Sequence, residues 1–318
     1  MICEYALDPE LVARWHDPRE WAFFREAFGS ESGRFGSCFP RKVKWQSAVR
    51  RAFHQAVPSA TEDSIGRRRL DALLEKLSER MIERECSHPE CPAWLGKAVA
   101  EHRERPFHGI LSTIPDKSVP AVMTPDMLFD EYPPAAWRVP PDPASPRTAE
   151  AFAQALAPLL NRSREVVMID PYFDPGKQRF LTTLKGILDV LWGPGCCVGT
   201  PVVELVLSES KLSADLLISR SKAHLPRIIP AGHSLTVTVL KERESGEKIH
   251  NRYILTTLAG VAFGTGLDAA EGEAANVQSD DLCRLSSVQL LKRWGQYKTA
   301  RGSFFNITAG PFGVDSAG

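Results

Sequence analysis

A proline-rich stretch near the middle of the chain limits the folds that the sequence can adopt. The stretch EYPPAAWRVPPDPASPRT, from Glu131 to Thr148, contains six prolines. Proline fixes φ and has no backbone N–H, so neither a regular helix nor a central strand can pass through this stretch. We therefore predict a linker over 131–147. It would separate a domain of residues 1–130 from a domain of residues 148–300, which a C-terminal tail over 301–318 follows.

The first domain is predicted to be mainly helical. Apolar residues recur at three- and four-residue spacing in the segments PELVARWHDPREWAFFREAF, KWQSAVRRAFHQAV and RRRLDALLEKLSERMIEREC. This spacing places the apolar side chains on one face of a helix. Only the segment FHGILST indicates a short strand in this part of the chain.

The second domain alternates strand-like and helical segments. EVVMIDPYF, VVELVLSES and HSLTVTVLKE have strand character, and RFLTTLKGILDVLW and SADLLISRSKAHLPRII lie between them. Such alternation predicts an α/β domain, with a mixed, mostly parallel sheet, helices on both faces, and functional residues after the strand ends. Thr148 or Ser145 is the expected cap of its first helix. The tail GPFGVDSAG is expected to be frayed.

Composition limits the partners and the compartment. Lys plus Arg and Asp plus Glu number 39 each, so an anionic partner must be bound by a local patch and not by the net charge. The N-terminus has acidic residues where a signal peptide needs basic ones, and no apolar run is long enough to span a membrane. The seven cysteines are an odd number and are scattered, which suits a reducing compartment. We expect a cytoplasmic protein without a membrane span.

The segment KIHNRYILTTLAGVAFGTGLD, residues 248–268, contains the residues best suited to chemistry. Cleavage of a phosphodiester needs a nucleophile, positive donors for the phosphate oxygens and an acid for the leaving group. An imidazole can attack phosphorus. His250 and Arg252 are two residues apart, so on a strand their side chains point the same way.

The glycine-rich return segment FGTG supplies further candidates. Gly264 and Gly266 allow backbone N–H groups to approach an anion closely, and the Thr265 hydroxyl lies between them. We therefore expect this segment to bind a phosphate.

The segment resembles the motif of the phospholipase D-like phosphodiesterases. In that family a histidine is followed by a lysine two residues on, an aspartate five further, and, after a six-residue gap, a glycine, a serine and an asparagine. The spacing is matched here by His250, Arg252, Thr257, Gly264, Thr265 and Leu267. Upstream, IDPYFDP, which contains Asp170 and Tyr172, resembles the strand-end segment that precedes the motif.

This resemblance implies a phospholipase D-like fold over 148–300 and a histidine mechanism. His250 would be the nucleophile, and Arg252 and Thr265 would hold the phosphate. Asp170, Tyr172, Thr257 and the two glycines of FGTG would line the substrate cleft. The family works without metal or cofactor, so none is expected. A family enzyme joins two motif copies, so one copy implies a homodimer, with the active site on its two-fold axis.

Three positions depart from the family motif. Arginine in place of lysine keeps the charge but cannot be deprotonated. Thr257 offers a hydroxyl where the family has a carboxylate, and Leu267 offers no polar group at all. Asp268 is predicted to supply the missing carboxylate from a shifted position, with Glu271 and Glu273 nearby.

Two functions therefore remain open. The first is cleavage of nucleic-acid phosphodiesters, which by association with soluble bacterial members of the family suggests defence against foreign DNA. The second is a degenerate module that binds nucleic acid, anionic head groups or partner proteins within a larger complex. For Asp170 and Tyr172 the structural alternative is a strand end that caps the next helix and packs into the core.

A basic stretch in the first domain favours nucleic acid as the partner. No acidic residue occurs between Ser32 and Thr61, whereas basic and aromatic residues alternate there: Arg34, Arg41, Lys42, Lys44, Arg50 and Arg51 with Phe35, Phe39, Trp45 and Phe53. Arg41, Lys42 and Lys44 are predicted to contact phosphates, and exposed aromatic rings would stack on bases. Alternatively, the aromatic residues form the buried face of a helix and the basic residues are solvated.

Two other motifs contain residues found in metal and nucleotide sites but lack the full pattern of either. CSHPEC brings Cys86, His88 and Cys91 together, but zinc sites usually have a second pair of ligands, so we favour buried thiols at a helix end. GPGCCVGT lacks the Lys-Ser/Thr pair of a phosphate-binding loop, which argues against a nucleotide site.

Overall fold

The computed structural model describes residues 2–84, 88, 91–195, 199–270 and 277–317. The chain divides into two compact units, Ile2–Pro140 and Pro141–Gly318, and the boundary lies inside the proline-rich stretch. Both units contain a sheet with helices, so the chain is mixed α/β.

The N-terminal unit contains a parallel sheet. Its strands are β1 (Cys3–Leu7), β2 (Arg34–Cys38), β3 (Ile82–Glu83), β4 (Gly109–Leu111) and β5 (Val122–Met123). They lie in the order β3-β2-β1-β4-β5, and every pairing is parallel. The sequence predicted only one strand here, in FHGILST, and that strand is β4; the other four strands, and with them the parallel sheet, were not predicted. The strands have two to five residues and are buried almost throughout, so they lack the period-two alternation that reveals a strand.

The predicted helical segments of this unit contain α1 (Pro9–Arg14), α2 (Pro18–Ala27), α3 (Lys42–Ala56) and α4 (Ile65–Ser78). Two further helices follow, α5 (Trp94–Glu104) and α6 (Pro125–Leu128). Asp8 and Asp17 cap α1 and α2, each followed by a proline at the first helical position. These local signals explain why the sequence predicted the helices more readily than the sheet.

The aromatic residues of the basic stretch belong to the core of the N-terminal unit. Phe35, Phe39, Trp45 and Phe53 are all buried. Along α3, Trp45 and Phe53 share one face with Val49, and Trp45 Nε1 donates a hydrogen bond to the Leu7 carbonyl at 2.7 Å. Of the two alternatives, the buried helix face is therefore the one observed for Trp45 and Phe53, while Phe35 is buried on the strand β2; these rings are not exposed for stacking on bases.

The C-terminal unit contains an eight-stranded mixed sheet. The strands are β6 (Ala144–Pro146), β7 (Glu165–Ile169), β8 (Val202–Ser208), β9 (Ser234–Glu242), β10 (Arg252–Thr256), β11 (Gly260–Phe263), β12 (Ser279–Arg284) and β13 (Phe305–Asp315). Their order is β13-β9-β8-β7-β10-β11-β12-β6. Only β7, β8 and β9 pair in parallel, and the other five pairings are antiparallel. The mixed character was expected for this unit, but a mostly parallel sheet occurs only in the other one.

The helices of this unit are α7 (Ala149–Leu160), α8 (Gln178–Leu191), α9 (Ala214–His224), α10 (Ser287–Trp294) and α11 (Arg301–Phe304), with a π-helical turn at Gly295–Thr299 between the last two. Thr148 caps α7 as predicted, because its hydroxyl accepts from the Ala151 N–H at 3.1 Å.

The C-terminal tail is an ordered strand. β13 pairs with β9 along its whole length, and Phe305 and Val314 are buried. The expectation of a frayed tail was wrong. Gly310 and Pro311 obscure the strand pattern in the sequence, and the register shifts between Ile307 and Phe312 accommodate them on an edge strand.

Candidate functional site

Three chain segments meet where the ends of β7, β10 and β11 lie side by side in the C-terminal sheet. β10 runs antiparallel to β7, with Tyr253 opposite Ile169, so the end of β7 lies beside the start of β10. β11 runs antiparallel to β10, with Phe263 opposite Arg252. The residues that follow β7, precede β10 and follow β11 are therefore neighbours, although they are far apart in the sequence.

His250 lies at the start of β10 and is held by a tyrosine. Its side chain is exposed, and its Nδ1 is 3.1 Å from the Tyr172 hydroxyl. The guanidinium of Arg252 packs 4.4 Å from the centroid of the Tyr172 ring. Arg252 Nε is buried and has no hydrogen-bond partner among the described residues. The side chains of His250 and Arg252 thus both contact Tyr172, one at its hydroxyl and the other at its ring.

Glu242 anchors the segment that leads to His250. This carboxylate, at the end of β9, accepts from Lys248 Nζ at 2.8 Å and from the Ile249 N–H at 2.9 Å. The Lys248 hydrogen bond lowers the pKa of Glu242, and the charge of His250 acts in the same direction. Sequence analysis missed Glu242, although its position at the end of a predicted strand was available as a signal.

Asp170 joins two of the three segments. It is buried, and its carboxylate accepts from the backbone N–H groups of Tyr172 and Leu267, each at 2.9 Å. Burial raises the pKa of Asp170, against the opposing effect of these two hydrogen bonds. The hydrogen bonds favour a role in positioning: Asp170 holds Tyr172 and the loop after β11 in place.

The predicted phosphate donors of Gly264 and Thr265 in the FGTG segment are already paired. Asp280 on β12 is buried and accepts from the Gly264 N–H at 2.9 Å, the Thr265 N–H at 3.1 Å and the Thr265 hydroxyl at 2.8 Å. These groups therefore satisfy a carboxylate of the same chain. Sequence analysis missed Asp280, yet SDDLCR places it on the same strand face as the buried Leu282.

Asp268 lies beside two arginines that sequence analysis missed. Its Oδ1 accepts from Arg147 Nη2 at 2.8 Å, and its Oδ2 is 3.4 Å from Arg179 Nε. Arg147 precedes the cap of α7, and Arg179 lies in the first turn of α8. Both arginines therefore lie at the same end of the sheet strands as Asp268. Their positions next to predicted strand and helix ends were the only indication of this in the sequence.

Gly266 allows these charged groups to converge. Its φ is +143°, a value that favours glycine, and a Cβ there would be 2.9 Å from Asp268 Oδ1, 3.4 Å from Asp170 Oδ2 and 3.8 Å from Arg252 Nε. The next residue, Leu267, is buried and contributes only its backbone N–H.

Other predicted site residues lie elsewhere. Thr257 is exposed in the turn between β10 and β11, at the opposite end of β10 from His250. Glu271 and Glu273 are outside the described residues.

Arg41, Lys42 and Lys44 belong to the N-terminal unit, where Arg41 is the N-cap residue of α3 and Lys44 is exposed. Lys42 Nζ donates to the Ser78 carbonyl at 2.9 Å and lines a groove of about 780 Å³ between α3 and α4. The groove contains both signs of charge, because Asp71 pairs with Arg67 at 2.6 Å and with Arg50 at 3.6 Å.

The described residues contain neither a metal-binding cluster nor a membrane-spanning helix. In the ranges that the structure describes, no group of three or more His, Cys, Asp or Glu side chains is placed to hold a metal ion. Cys86 of CSHPEC is outside those ranges. None of the described helices has the length and apolar character needed to cross a membrane.

Comparisons of the chain with protein-family models, curated proteins and solved structures gave no match.

Proposed function

We propose that the C-terminal unit is a phospholipase D-like domain that cleaves nucleic-acid phosphodiester bonds, with His250 as the nucleophile. The observation that carries the proposal is the arrangement of His250, Tyr172 and Arg252. An exposed imidazole is held through one nitrogen, beside a guanidinium whose buried Nε has no partner among the described residues.

Tyr172 would select the reactive form of the imidazole. When Nδ1–H donates to the tyrosine oxygen, Nε2 carries the lone pair and faces outward. No hydrogen bond within the described residues engages Nε2. Tyr172 is thus a positioning residue, and Arg252, which packs on the same tyrosine ring, would supply the positive charge for the phosphate oxygens.

The reaction proceeds in two balanced steps. Nε2 of His250 forms a bond to phosphorus while the bond to the leaving oxygen breaks, and that oxygen takes a proton from an acid. Water then attacks phosphorus and gives a proton to the conjugate base of that acid. The phosphorus–nitrogen bond breaks, and the imidazole is regenerated. In the proposed homodimer, the acid is His250 of a second copy across the two-fold axis.

Nucleic acid is the preferred substrate because of exposed basic residues in the N-terminal unit. Arg41, Lys44 and Arg51 of the acid-free stretch are exposed, and so is Arg68 at the start of α4. Such residues bind phosphates without sequence preference. Because the aromatic residues between them are buried, we attribute the binding to charge alone.

A specific observation favours a second candidate, an anion-binding module without catalysis. The Gly264 N–H and the Thr265 hydroxyl donate to Asp280 and not to a ligand. Leu267 stands where the family motif has a polar residue. A site with fewer available donors stabilises a transition state less well.

Cleavage assays on single- and double-stranded DNA and RNA, with EDTA present, separate the two candidates. We expect wild-type cleavage and a loss of about a thousandfold in His250→Ala, the scale of removing a nucleophile. His224→Ala, at the end of α9, is the matched histidine control and should retain activity. Light scattering in parallel should give the mass of a dimer. Salt-sensitive binding without cleavage in the wild type would overturn the catalytic proposal in favour of the module.

A further inference from the structure

Two arginines, Arg147 and Arg179, pair with the Asp268 carboxylate at this end of the C-terminal sheet, and a third, Arg252, lies close by on the other side of Gly266. Arg147 and Arg252 each have a buried Nε without a hydrogen-bond partner among the described residues, and the buried Nε of Arg179 makes no hydrogen bond there but lies 3.4 Å from Asp268 Oδ2 in an ion pair. Of the two carboxylates nearby, Asp170 is fully buried, and only Asp268 pairs with the first two arginines. This arginine cluster therefore has more donors than acceptors.

We propose that Arg147 and Arg179 form a second phosphate subsite, and that Asp268 fills it when no ligand is bound. The proposal rests on the proposed function for the position of the first phosphate, beside His250 and Arg252. A carboxylate and a phosphate present similar oxygens to an arginine fork, so one can replace the other on the same donors.

The position of Arg147 does not depend on the Asp268 carboxylate. Arg147 Nη2 also donates to the backbone carbonyl of Asp268 at 3.2 Å, and Nη1 donates to Gln278 Oε1 at 3.1 Å. The Arg147 carbonyl accepts from the Ala270 N–H at 2.8 Å. A ligand phosphate would therefore meet a guanidinium that is already in place.

Arg179 is supported independently as well. Its guanidinium lies 5.1 Å from the centroid of the Phe180 ring, and its carbonyl accepts from the Ala269 N–H at 3.4 Å. Its side chain is 38% exposed, so Nη1 and Nη2 can reach a ligand from the solvent side. Asp268 contacts it only through a single ion pair.

The two subsites are close enough for consecutive phosphates of one strand. The Cβ position at Gly266 is 3.8 Å from Arg252 Nε and 2.9 Å from Asp268 Oδ1, and this oxygen is 2.8 Å from Arg147 Nη2. A nucleic-acid strand offers neighbouring phosphates, whereas a phospholipid with a single phosphodiester offers one. The pair of subsites thus points to an oligonucleotide as the substrate class.

The test measures the contribution of the second phosphate by calorimetry with three probes: the thymidine dinucleotide TpT, its 5′-phosphorylated form pTpT and its 3′-phosphorylated form TpTp. The His250→Ala protein is used throughout, so that no probe is turned over under the proposed function. We expect one end phosphate to tighten binding about tenfold, and the preferred end would give the polarity of the strand.

Variants assign this gain to the subsite. Arg147→Gln and Arg179→Gln should each abolish the preference for the end phosphate and leave the Kd of TpT nearly unchanged. Asp268→Asn should tighten the binding of the preferred probe about fivefold, because a competing charge is removed. Lys185→Gln, an exposed substitution on α8, is the control and should leave all three constants unchanged.

Either of two results would overturn the subsite: equal affinity for the three probes, or a preference that persists in both arginine variants. A gain of affinity in Asp268→Asn cannot result from misfolding. The outcome is also separable from the proposed function. If the wild-type protein does not cleave but the end phosphate still tightens binding, the subsite stands and the catalytic proposal is rejected. If the wild-type protein cleaves but the three probes bind equally, the catalytic proposal stands and the subsite is rejected.

Discussion

Two clusters in the C-terminal unit combine arginine with a carboxylate and differ in how completely they are paired. In the first, here the Glu204 cluster, Glu204 accepts from Thr238 Oγ1 at 2.6 Å, Lys298 Nζ at 3.0 Å and Arg301 Nη2 at 2.8 Å, and Arg301 Nη1 donates to it as well. Arg301 Nε donates to the Lys298 carbonyl. Every donor group of Arg301 is used.

The arginine cluster is the opposite case. Two of its members, Arg147 and Arg179, pair with the same carboxylate, Asp268. The buried Nε atoms of Arg147 and Arg252 have no hydrogen-bond partner among the described residues, and Arg179 Nε has only the ion pair with Asp268 at 3.4 Å. Under the proposed subsite, the charged residue types alone do not distinguish a structural cluster from a binding site. The balance between donors and acceptors does, because an unpaired buried donor costs stability unless a ligand satisfies it.

The largest expected difference is in stability. Arg301→Gln should lower the free energy of unfolding by about 3–5 kcal/mol, because Glu204 would remain buried without its main partner. Urea unfolding at pH 7 measures this, with Lys185→Gln as a surface control expected to change it by less than about 0.5 kcal/mol. A loss below about 1 kcal/mol would show that the Glu204 cluster does not stabilise the fold.

In the arginine cluster we expect a large loss of activity and only a small loss of stability. Arg252→Gln should lower kcat for nucleic-acid cleavage by about 10²- to 10³-fold, the scale of removing one charged donor from a developing oxyanion. Its free energy of unfolding should change by less than about 1 kcal/mol, since Nε makes no hydrogen bond within the described chain. Arg252→Lys retains the charge and should recover part of the activity. Destabilisation as large as that of Arg301→Gln would remove the distinction between the clusters.

Acid should affect the Glu204 cluster in a defined pH range. Burial acts to raise the pKa of Glu204, but Arg301, Thr238 and Lys298 outweigh it and lower the pKa from 4.5 to about 2. A depressed folded-state pKa stabilises the fold above the unfolded value, and this stability is lost as the pH falls from about 4.5 to about 2. We expect this carboxylate to account for about 3 kcal/mol of the loss.

Urea unfolding at several pH values between 6 and 2.5 would measure this dependence. In Glu204→Gln the protein should be less stable at pH 6, and the decrease of its stability on acidification should be smaller. An unchanged pH dependence in this variant would contradict the assignment.

The smallest effect concerns orientation. Tyr172→Phe keeps the ring beneath Arg252 and removes only the hydroxyl that contacts His250, so kcat should fall about tenfold, the scale of one hydrogen bond. KM should stay unchanged, because the substrate contacts remain. Steady-state kinetics separates the two parameters, and an increase in KM at constant kcat would instead assign Tyr172 to substrate binding.

Local signals in the sequence were sufficient for several elements. The Thr148 cap, followed by apolar residues at helical spacing, predicted α7, and the apolar runs from Glu165 and Val202 predicted β7 and β8. The two-residue spacing of His250 and Arg252 placed both side chains at the same end of β10. In each case, neighbouring residues determine the conformation.

The remainder depends on long-range contacts. The Arg147 guanidinium meets Asp268 across 121 residues, and Leu267 meets Asp170 across 97. Neither pair is indicated by local spacing, because the antiparallel return of β10 and β11 brings the segments together. The parallel sheet of the N-terminal unit was missed for a similar reason: short buried strands acquire their pairing from the rest of the fold.

The most direct test of the account is a search for phosphate covalently bound to His250. The protein is mixed with an oligonucleotide substrate, quenched in alkali within the first turnover and analysed by mass spectrometry of its peptides, with His250→Ala as the control. We predict that the peptide containing His250 carries a nucleotide adduct, that the adduct is lost in acid, and that the variant lacks it. Rapid cleavage without an adduct at His250 would contradict the central claim.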